Sequence, residues 1–218
     1  MNFTLVSRIG KIRMYDAGPD APLRRIRDNF AHLTIDPYVR EGFRRKHIAR
    51  LEVVDREPHV RLRMLPNEPL LQSHEFNPVH GGVRRSYPAL IPVRETAQVV
   101  NAFVRCCDLR PGDVVLAQAQ RITCEPGAPG LPSVEDWHQD GVAEIGVFCV
   151  ARYNIKGGRS QFRDAATHAT VLDAILPEGR MVIFDDIPVQ HRVTPIDVKD
   201  PETGTGYRDV LLLSHGSR

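Results

Sequence analysis

The part of the chain after residue 112 consists of short apolar stretches separated by closely spaced turn signals. Pro and Gly mark the breaks, as in Pro177-Glu178-Gly179, and each stretch is β-branched or alternating in polarity. The stretches lie at residues 114–123, 145–153, 169–176, 181–184 and 207–214. A series of this kind cannot supply long helices, and it is typical of a β sandwich.

Two amphipathic stretches come before these predicted strands. Residues 21–34 and 95–107 carry apolar side chains at helical spacing, and short strand-like stretches at 48–54 and 59–65 lie between them. Helices that precede a β-rich half predict an α+β, mainly β fold, which we interpret as a jelly roll (cupin-like) core with flanking N-terminal helices. An OB-like or lipocalin-like barrel is the alternative.

Length and composition predict a single domain spanning residues 1–218. We divide it into a helical and extended N-terminal part, 1–111, and a metal-binding core, 112–218. The apolar share of 42% and charged share of 26% are those of an ordinary soluble protein. A formal charge of +2 gives no indication of a nucleic-acid or membrane partner. Four cysteines without a C-x-x-C pair, and no leader-like or spanning segment, favour the cytoplasm.

A short metal-ligand motif follows a Pro/Gly-rich loop. His138 and Asp140 are two residues apart, so an extended backbone projects both side chains to the same side. The motif alone is weak, because random placement of these residue types gives about one such pair in a chain of this composition. Its position between a loop and a strand strengthens the interpretation.

Two later residues complete a pattern with chemical meaning. His191 begins a predicted strand after an apolar strand and a short turn, and Arg208 opens the alternating strand at 207–214. Two imidazoles and one carboxylate can occupy one face of an octahedral Fe(II) and leave the other face open. A charge like Arg208 is costly inside a sandwich unless an anion pairs with it, and its planar fork matches a carboxylate. These residues predict a non-haem iron oxygenase.

Longer segments carry a resemblance to a known family. They are His138-Gln-Asp140-Gly141, residues 152–160, Phe184-Asp-Asp186 with His191-x-Val-Thr194-Pro195, and residues 206–209, together with 38–45 and 77–84. In order and combination they resemble the Fe(II)/2-oxoglutarate dioxygenase family of L-isoleucine 4-hydroxylase and BsmA-like proteins. The resemblance covers most of the chain.

This resemblance implies a fold, a cofactor set and an activity. It implies a double-stranded β-helix core, Fe(II) held by His138, Asp140 and His191, and 2-oxoglutarate bound through its distal carboxylate by Arg208. With O2, such an enzyme converts 2-oxoglutarate to succinate and CO2 and hydroxylates an unactivated C–H bond. Related halogenases leave the carboxylate position vacant for chloride, so Asp140 favours hydroxylation.

Other residues near these motifs have candidate supporting roles. Asn154 is a candidate partner for the C1 end of the cosubstrate, with a turn side chain before Gly157-Gly158 as the equal alternative. Thr194 is a candidate partner for the distal carboxylate beside Arg208. Asp185, Asp186 and Gln190 are near His191 in sequence and could orient it, although turn roles are the simpler interpretation.

The predicted substrate is a free L-amino acid or a closely related small metabolite. A free amino acid needs a cation for its carboxylate, and we favour Arg121, with Arg84 and Arg85 as alternatives. Glu144 is the candidate acceptor for the ammonium group, and Trp137 could form a wall of the pocket. A homodimer is compatible with these features.

Two other functions stay open at this point. The first is a catalytically silent jelly-roll protein that acts through protein contacts in stress or biofilm regulation. A complete His/Asp/His/Arg set counts against it, because a binding module needs no open coordination face. The second is a cupin-type metal enzyme that uses no 2-oxoglutarate, and a strand arginine at 208 counts against that.

Overall fold

The structure is a computed structural model that describes residues 1–19 and 21–217. In those residues it contains thirteen strands, two α-helices and one 3-10 turn. The helices are α1 (Leu23–Phe30) and α2 (Arg94–Cys106), and the turn is Pro201–Thr203. The strands are β1 (Thr4–Ile9), β2 (Ile12–Asp16), β3 (Arg44–Asp55), β4 (Arg61–Leu65), β5 (Val114–Cys124), β6 (Val142–Tyr153), β7 (Ile155–Gly157), β8 (Arg159–Asp164), β9 (Thr170–Ile175), β10 (Arg180–Asp185), β11 (Val189–Val193), β12 (Ile196–Val198) and β13 (Gly206–Ser217).

The strands form one large sheet and two small ones. The large sheet has the order β1-β2-β10-β6-β13-β5-β3-β4 and is antiparallel throughout. A three-stranded sheet, β11-β8-β9, and a two-stranded sheet, β12-β7, complete the structure. Since β1 to β4 belong to the large sheet, the N-terminal part supplies half of its strands.

Both α-helices pack on one face of the large sheet. Ile26 and Phe30, one helical turn apart on α1, and Phe103 on α2 are fully buried in this layer. Gly146 on β6 permits the close approach of α2, since a Cβ at this position would lie 2.7 Å from the Phe103 ring. This layer leaves the opposite face of the sheet to the small sheets.

A second apolar cluster fills the space between the large sheet and the three-stranded sheet. Phe162 on β8 contacts Phe184 on β10, with ring centroids 5.0 Å apart. The two layers enclose a cavity beside this cluster, and the loop segment 66–93 lies over it. The predicted mainly β, jelly-roll architecture with N-terminal helices is confirmed.

The predicted bounds need some corrections. The strand predicted at 48–54 begins at Arg44, because tertiary pairing with β5 continues through a run of charged residues. The strand at 59–65 begins only at Arg61. Neither α-helix of the described residues has the length and apolar composition of a membrane-spanning helix.

Candidate active site

His138, Asp140 and His191 converge at one end of the cavity. One ligand atom from each residue lies within 4.8 Å of the others. The distance from His191 Nε2 to Asp140 Oδ2 is 3.8 Å, and the two imidazole centroids are 4.3 Å apart. The three donors are therefore arranged around a space that fits a single metal ion.

Backbone pairing holds the two histidines together. The N–H of His138 donates to the carbonyl of His191 at 3.1 Å, and the N–H of His191 donates to the carbonyl of His138 at 3.0 Å. His191 lies in the middle of β11, where β8 is its other neighbour. The register of β11 thus fixes the position of one ligand relative to the other.

The surroundings of both imidazoles suit the binding of a metal ion. His138 Nδ1 lies 2.8 Å from the carbonyl of Asp136, so this nitrogen donates its hydrogen there and Nε2 is left as a ligand atom. Burial lowers the pKa of His191 well below its usual value, and the neighbouring His138 contributes to the shift. A neutral His191 offers a lone pair to a cation instead of a positive charge.

A buried carboxylate holds the loop that carries Asp140. Asp186, at the end of β10, is fully buried and accepts hydrogen bonds from the backbone N–H groups of Asp140, Gly141 and Val142. Its Oδ1 is 4.0 Å from His191 Nδ1. Burial raises the pKa of Asp186, and the charge of Asp140 adds to this effect.

The loop segment 66–93 also contacts the triad. Gln72 Nε2 donates to Asp140 Oδ1 at 3.1 Å, which leaves Oδ2 as the oxygen facing His191. Gly141 has φ +77°, and a Cβ there would lie 2.5 Å from the Phe76 ring. Glycine at this position therefore permits both the turn and the packing of Phe76 on it.

A buried arginine faces the same cavity. Arg208 is 2% exposed, and among the described residues its Nε and Nη2 have no hydrogen-bond partner. The hydroxyl of Ser160, on β8, is also buried, unpartnered and part of the cavity lining. Unpaired buried donors of this kind are costly, so the arrangement fits an absent anion. Arg208 and Ser160 could together hold the distal carboxylate of 2-oxoglutarate.

The cavity has a volume of about 350 Å³, and both apolar and polar side chains line it. Besides Arg208, its basic lining residues include Arg44, Lys46 and Arg85. Glu135 lines it as well, and its carboxylate accepts a hydrogen bond from Asn77 at 3.1 Å. Both signs of charge are therefore present in the cavity lining.

Two predicted substrate residues lie on the other face of the sheet. Arg121 makes two hydrogen bonds of 2.7 Å to the carboxylate of Asp209, on the face that carries the helices. Glu144 pairs with Arg13 and lies 3.3 Å from His215 Nε2. Within the described part of the chain, neither Arg121 nor Glu144 is among the residues that line the cavity. The structure thus contradicts both assignments, because side chains alternate between the faces of a strand.

Four further predicted residues also lie outside the cavity lining that the structure describes. Asn154 binds the backbone of Asp200 and Gly204, which is the turn role. Thr194 accepts a hydrogen bond from the N–H of Arg159. These contacts place Asn154 and Thr194 outside the described cavity lining, and their cosubstrate roles stay predictions.

The other two are Arg84 and Trp137. Arg84 is exposed, whereas its neighbour Arg85 lines the cavity. The Trp137 ring lies between the guanidinium groups of Arg163 and Arg192, at 4.4 and 4.6 Å. Of the two neighbouring arginines that we considered, Arg85 and not Arg84 lines the cavity, and Trp137 is a packed aromatic next to the metal loop.

Sequence reasoning missed several residues that line the site. The sequence analysis gave no role to Gln72, Glu135, Ser160, Arg44 and Lys46, although Ser160 and Arg44 lie in segments that carry the family resemblance. A signal did exist for Arg44 and Lys46, because alternate cations at the start of a strand project to one face. The roles of Gln72 and Glu135 depend on contacts between distant segments, which the sequence does not display.

A jelly roll that places two histidines, an aspartate and a buried unpaired arginine around one cavity has the architecture of a non-haem iron oxygenase. The profile of the 2OG-Fe dioxygenase family matches residues 27–214. The chain belongs to the 2OG-Fe dioxygenase family, whose members use Fe(II), 2-oxoglutarate and O2. It is accordingly an oxidoreductase, and the silent binding protein considered above is not favoured.

Solved structures with the same fold include relatives of low sequence identity. A BsmA homologue from Methylobium petroleophilum PM1 has a TM-score of 0.77 and 23% identity, covering 89% of this chain and 80% of its own. IDO from Bacillus thuringiensis has a TM-score of 0.74 and 13% identity, covering 96% and 91%. The Fe(II)/α-ketoglutarate-dependent dioxygenase TqaL has a TM-score of 0.67 and 15% identity, covering 95% and 83%.

No curated protein matches the sequence. At these identities the structural relatives establish the fold alone. The dioxygenase family predicted from the sequence is confirmed by the profile match.

Proposed function

We propose that the protein hydroxylates an unactivated C–H bond of a free L-amino acid, or of a closely related small metabolite, and releases succinate and CO2. The observation that carries this proposal is the shared cavity of the His138/Asp140/His191 triad and the unpaired Arg208. When bound, Fe(II) supplies the activation of O2 and the oxidative decarboxylation of 2-oxoglutarate.

The protein residues in this proposal bind and orient. His138, Asp140 and His191 hold the metal, with Nε2 as the expected ligand atom of His138. Asp186 and Gln72 keep the Asp140 carboxylate in place, and the neutral state of His191 avoids repulsion of the cation. Arg208, assisted by Ser160, binds the distal carboxylate of the cosubstrate.

The size and polarity of the cavity support a small polar substrate. A volume of about 350 Å³ must contain both the cosubstrate and the group that is oxidised, which excludes a large substrate from full burial. The basic residues Lys46 and Arg85 and the carboxylate of Glu135 suit the two charges of a zwitterion. Glu135 replaces Glu144 as the candidate acceptor for the ammonium group.

The first experiment tests cosubstrate binding. Anaerobic Fe(II) plus 2-oxoglutarate is expected to give a weak visible charge-transfer band with the wild-type protein. A folded protein that gives no band would contradict the assignment of the site.

The second experiment tests the substrate. The twenty amino acids are screened for succinate release that is coupled to a mass gain of one oxygen. Coupling with one of them supports the proposal, whereas a visible band without coupling to any amino acid would remove the amino-acid part of it.

A further inference from the structure

Besides Arg208 and Arg192, three lysine and arginine residues line the cavity. Arg44, Lys46 and Arg85 are 4%, 6% and 4% exposed. Arg44 and Lys46 alternate on β3 and so project to the same face, while Arg85 belongs to the loop segment 66–93. Two separate parts of the chain therefore place cations against one small volume, which we call the basic end of the cavity.

The basic end has fewer acceptors than donors. Arg44 Nε donates to Asp36 at 2.7 Å, and Arg85 Nη2 donates to the amide oxygen of Gln72. Among the described residues, Arg44 Nη2 and Arg85 Nε have no partner. Lys46 Nζ lies 4.6 Å from the centre of the Tyr87 ring, and no hydrogen-bond acceptor for it is found in the described part of the chain.

The charges at the basic end do not balance. Asp36 neutralises one of three buried cations, and an excess positive charge away from water is costly unless an anion pairs with it. Burial lowers the pKa of Lys46 to about 7, and the charges of Arg44 and Arg85 add to this, against the opposite effects of Asp36 and Asp140. An anionic ligand among these residues would relieve both effects.

The cosubstrate has a separate set of unpaired donors on other strands. In the sheet, Arg208 pairs with Ile122, and Ile122 pairs with Arg44, so two inter-strand spacings, roughly 10 Å, separate the backbones of the two arginines. Lys46 lies two residues further along β3 from Arg44. Arg208 and Ser160 already offer unpaired donors for the distal carboxylate of 2-oxoglutarate.

The basic end is nevertheless connected to the metal ligands. Gln72 accepts a hydrogen bond from Arg85 and donates one to Asp140 Oδ1 at 3.1 Å. A single amide therefore separates the Arg85 guanidinium from the carboxylate of the triad. The wall between them includes apolar side chains such as Phe76 and Leu70. A small molecule anchored at the basic end would place its carbon chain beside the triad.

We propose that Lys46 and Arg85, with Arg44 behind them, bind the carboxylate of the substrate. This inference rests on the proposed function and narrows it, because it assigns the substrate to the small carboxylic acids with an aliphatic body. It also predicts discrimination, since an amide or amine of the same shape would leave the cations unpaired.

The test measures binding and does not depend on turnover. The protein is loaded anaerobically with Mn(II) and 2-oxoglutarate and titrated calorimetrically with the twenty L-amino acids and with their primary amides. At least one acid is expected to bind, and its amide to bind at least about tenfold more weakly. Lys46→Gln and Arg85→Gln are expected to weaken binding of that acid by about tenfold or more.

Two further variants serve as controls. Lys46→Arg keeps the charge and is expected to retain most of the affinity, even if Lys46→Gln folds poorly. Arg45→Gln removes a neighbouring cation whose side chain donates to the carbonyl of Leu33 outside the cavity lining. It is expected to leave the affinity for the acid unchanged.

Several outcomes would overturn the assignment. Equal binding of acid and amide would do so, as would the absence of binding by every acid in the panel. If Lys46→Gln and Arg85→Gln weakened 2-oxoglutarate more than the amino acid, the basic end would belong to the cosubstrate. A failure of the proposed function has a different signature, namely acid-selective binding at these residues without hydroxylation of any amino acid.

Discussion

His138 and His191 exchange both of their backbone hydrogen bonds, at 3.1 and 3.0 Å, although more than fifty residues separate them in the chain. Their rings are brought to a centroid distance of 4.3 Å by this pairing. The metal-binding geometry is therefore a property of strand register, and a change that slips β11 by one residue would turn His191 away from the cavity.

Replacing Asp140 by Ala is expected to abolish succinate formation without unfolding the protein. The carboxylate is one of three donors around the site, so its loss should reduce metal affinity by about 100-fold or more. This effect is larger than the loss expected when a hydrogen-bond partner of a ligand is removed. Metal titration, succinate assays and circular dichroism check this. Asp185→Ala is a matched control, since Asp185 pairs with Lys11 at the surface. Retained turnover in Asp140→Ala would exclude this ligand.

Replacing Asp186 by Asn is expected to weaken metal binding through the loop that carries Asp140. The carboxylate accepts three backbone N–H groups, and an amide can present only one acceptor oxygen to them. We expect metal affinity to fall by roughly 10–100-fold, with a lower melting temperature. Calorimetric metal titration and thermal unfolding measure the two effects. Unchanged metal affinity would show that Asp186 does not position the ligand.

Replacing Arg208 by Met is expected to weaken 2-oxoglutarate binding by about 10–100-fold. This is the loss of affinity expected when a hydrogen bond between charged groups is removed. The ligand-free protein should not lose stability, because the variant removes a buried charge without a partner among the described residues. Titration of the anaerobic charge-transfer band with 2-oxoglutarate tests the first part, and urea unfolding tests the second. Full 2-oxoglutarate affinity in the variant would refute the assignment of Arg208.

Replacing Arg121 by Met is expected to lower the stability of the protein and to leave 2-oxoglutarate binding unchanged. Asp209 is fully buried and would lose its partner, which should destabilise the fold by about 3–5 kcal/mol. The double variant with Asp209→Leu should recover much of this loss in urea unfolding. Normal stability together with weaker amino-acid binding would return Arg121 to the substrate site.

Replacing Lys46 by Met is expected to stabilise the ligand-free protein by roughly 1–3 kcal/mol at pH 6. The pKa of Lys46 is about 7 in the folded state, below the usual 10.5. The unfolded chain therefore binds this proton more tightly, and protonation of Lys46 destabilises the folded state. The free energy of unfolding of the wild type should therefore rise between about pH 7 and 10.5. The difference in this free energy between the variant and the wild type should shrink over the same pH interval. Urea unfolding at pH 6 and 9 measures it. A constant difference would mean that Lys46 is not a buried cation.

Much of the fold was predictable because local patterns determine it. The amphipathic periods of α1 and α2 and the apolar stretches after residue 112 have strong short-range signals, and both kinds of element were predicted within a few residues. The start of β3 was not predicted, because Arg44-Arg45-Lys46 has the composition of an exposed loop. Its burial depends on β5 and on the loop segment 66–93, which are distant in sequence.

The candidate site was predictable only where a motif carried it. His138, Asp140, His191 and Arg208 have residue types and positions that few other roles explain. The substrate residues had no such motif. The prediction for Arg121 failed because alternate residues of a strand face opposite sides of the sheet, and Arg121 lies one position away from a cavity-facing residue. Gln120 faces the cavity, whereas Arg121 faces the helices and meets Asp209. Parity follows from the register between strands, which composition does not specify.

The loop segment 66–93 contributes Gln72, Phe76 and Arg85 to the cavity, whereas His138 and Asp140 lie in the loop before β6, His191 on β11 and Arg208 on β13. The proposed substrate pocket is thus shared between this stretch, which carries none of the proposed metal ligands, and the strand that holds Arg44 and Lys46. Exchanging residues 66–93 for those of a relative is therefore expected to alter the contribution of Arg85 and Phe76 to specificity while the metal ligands and Arg208 stay in place.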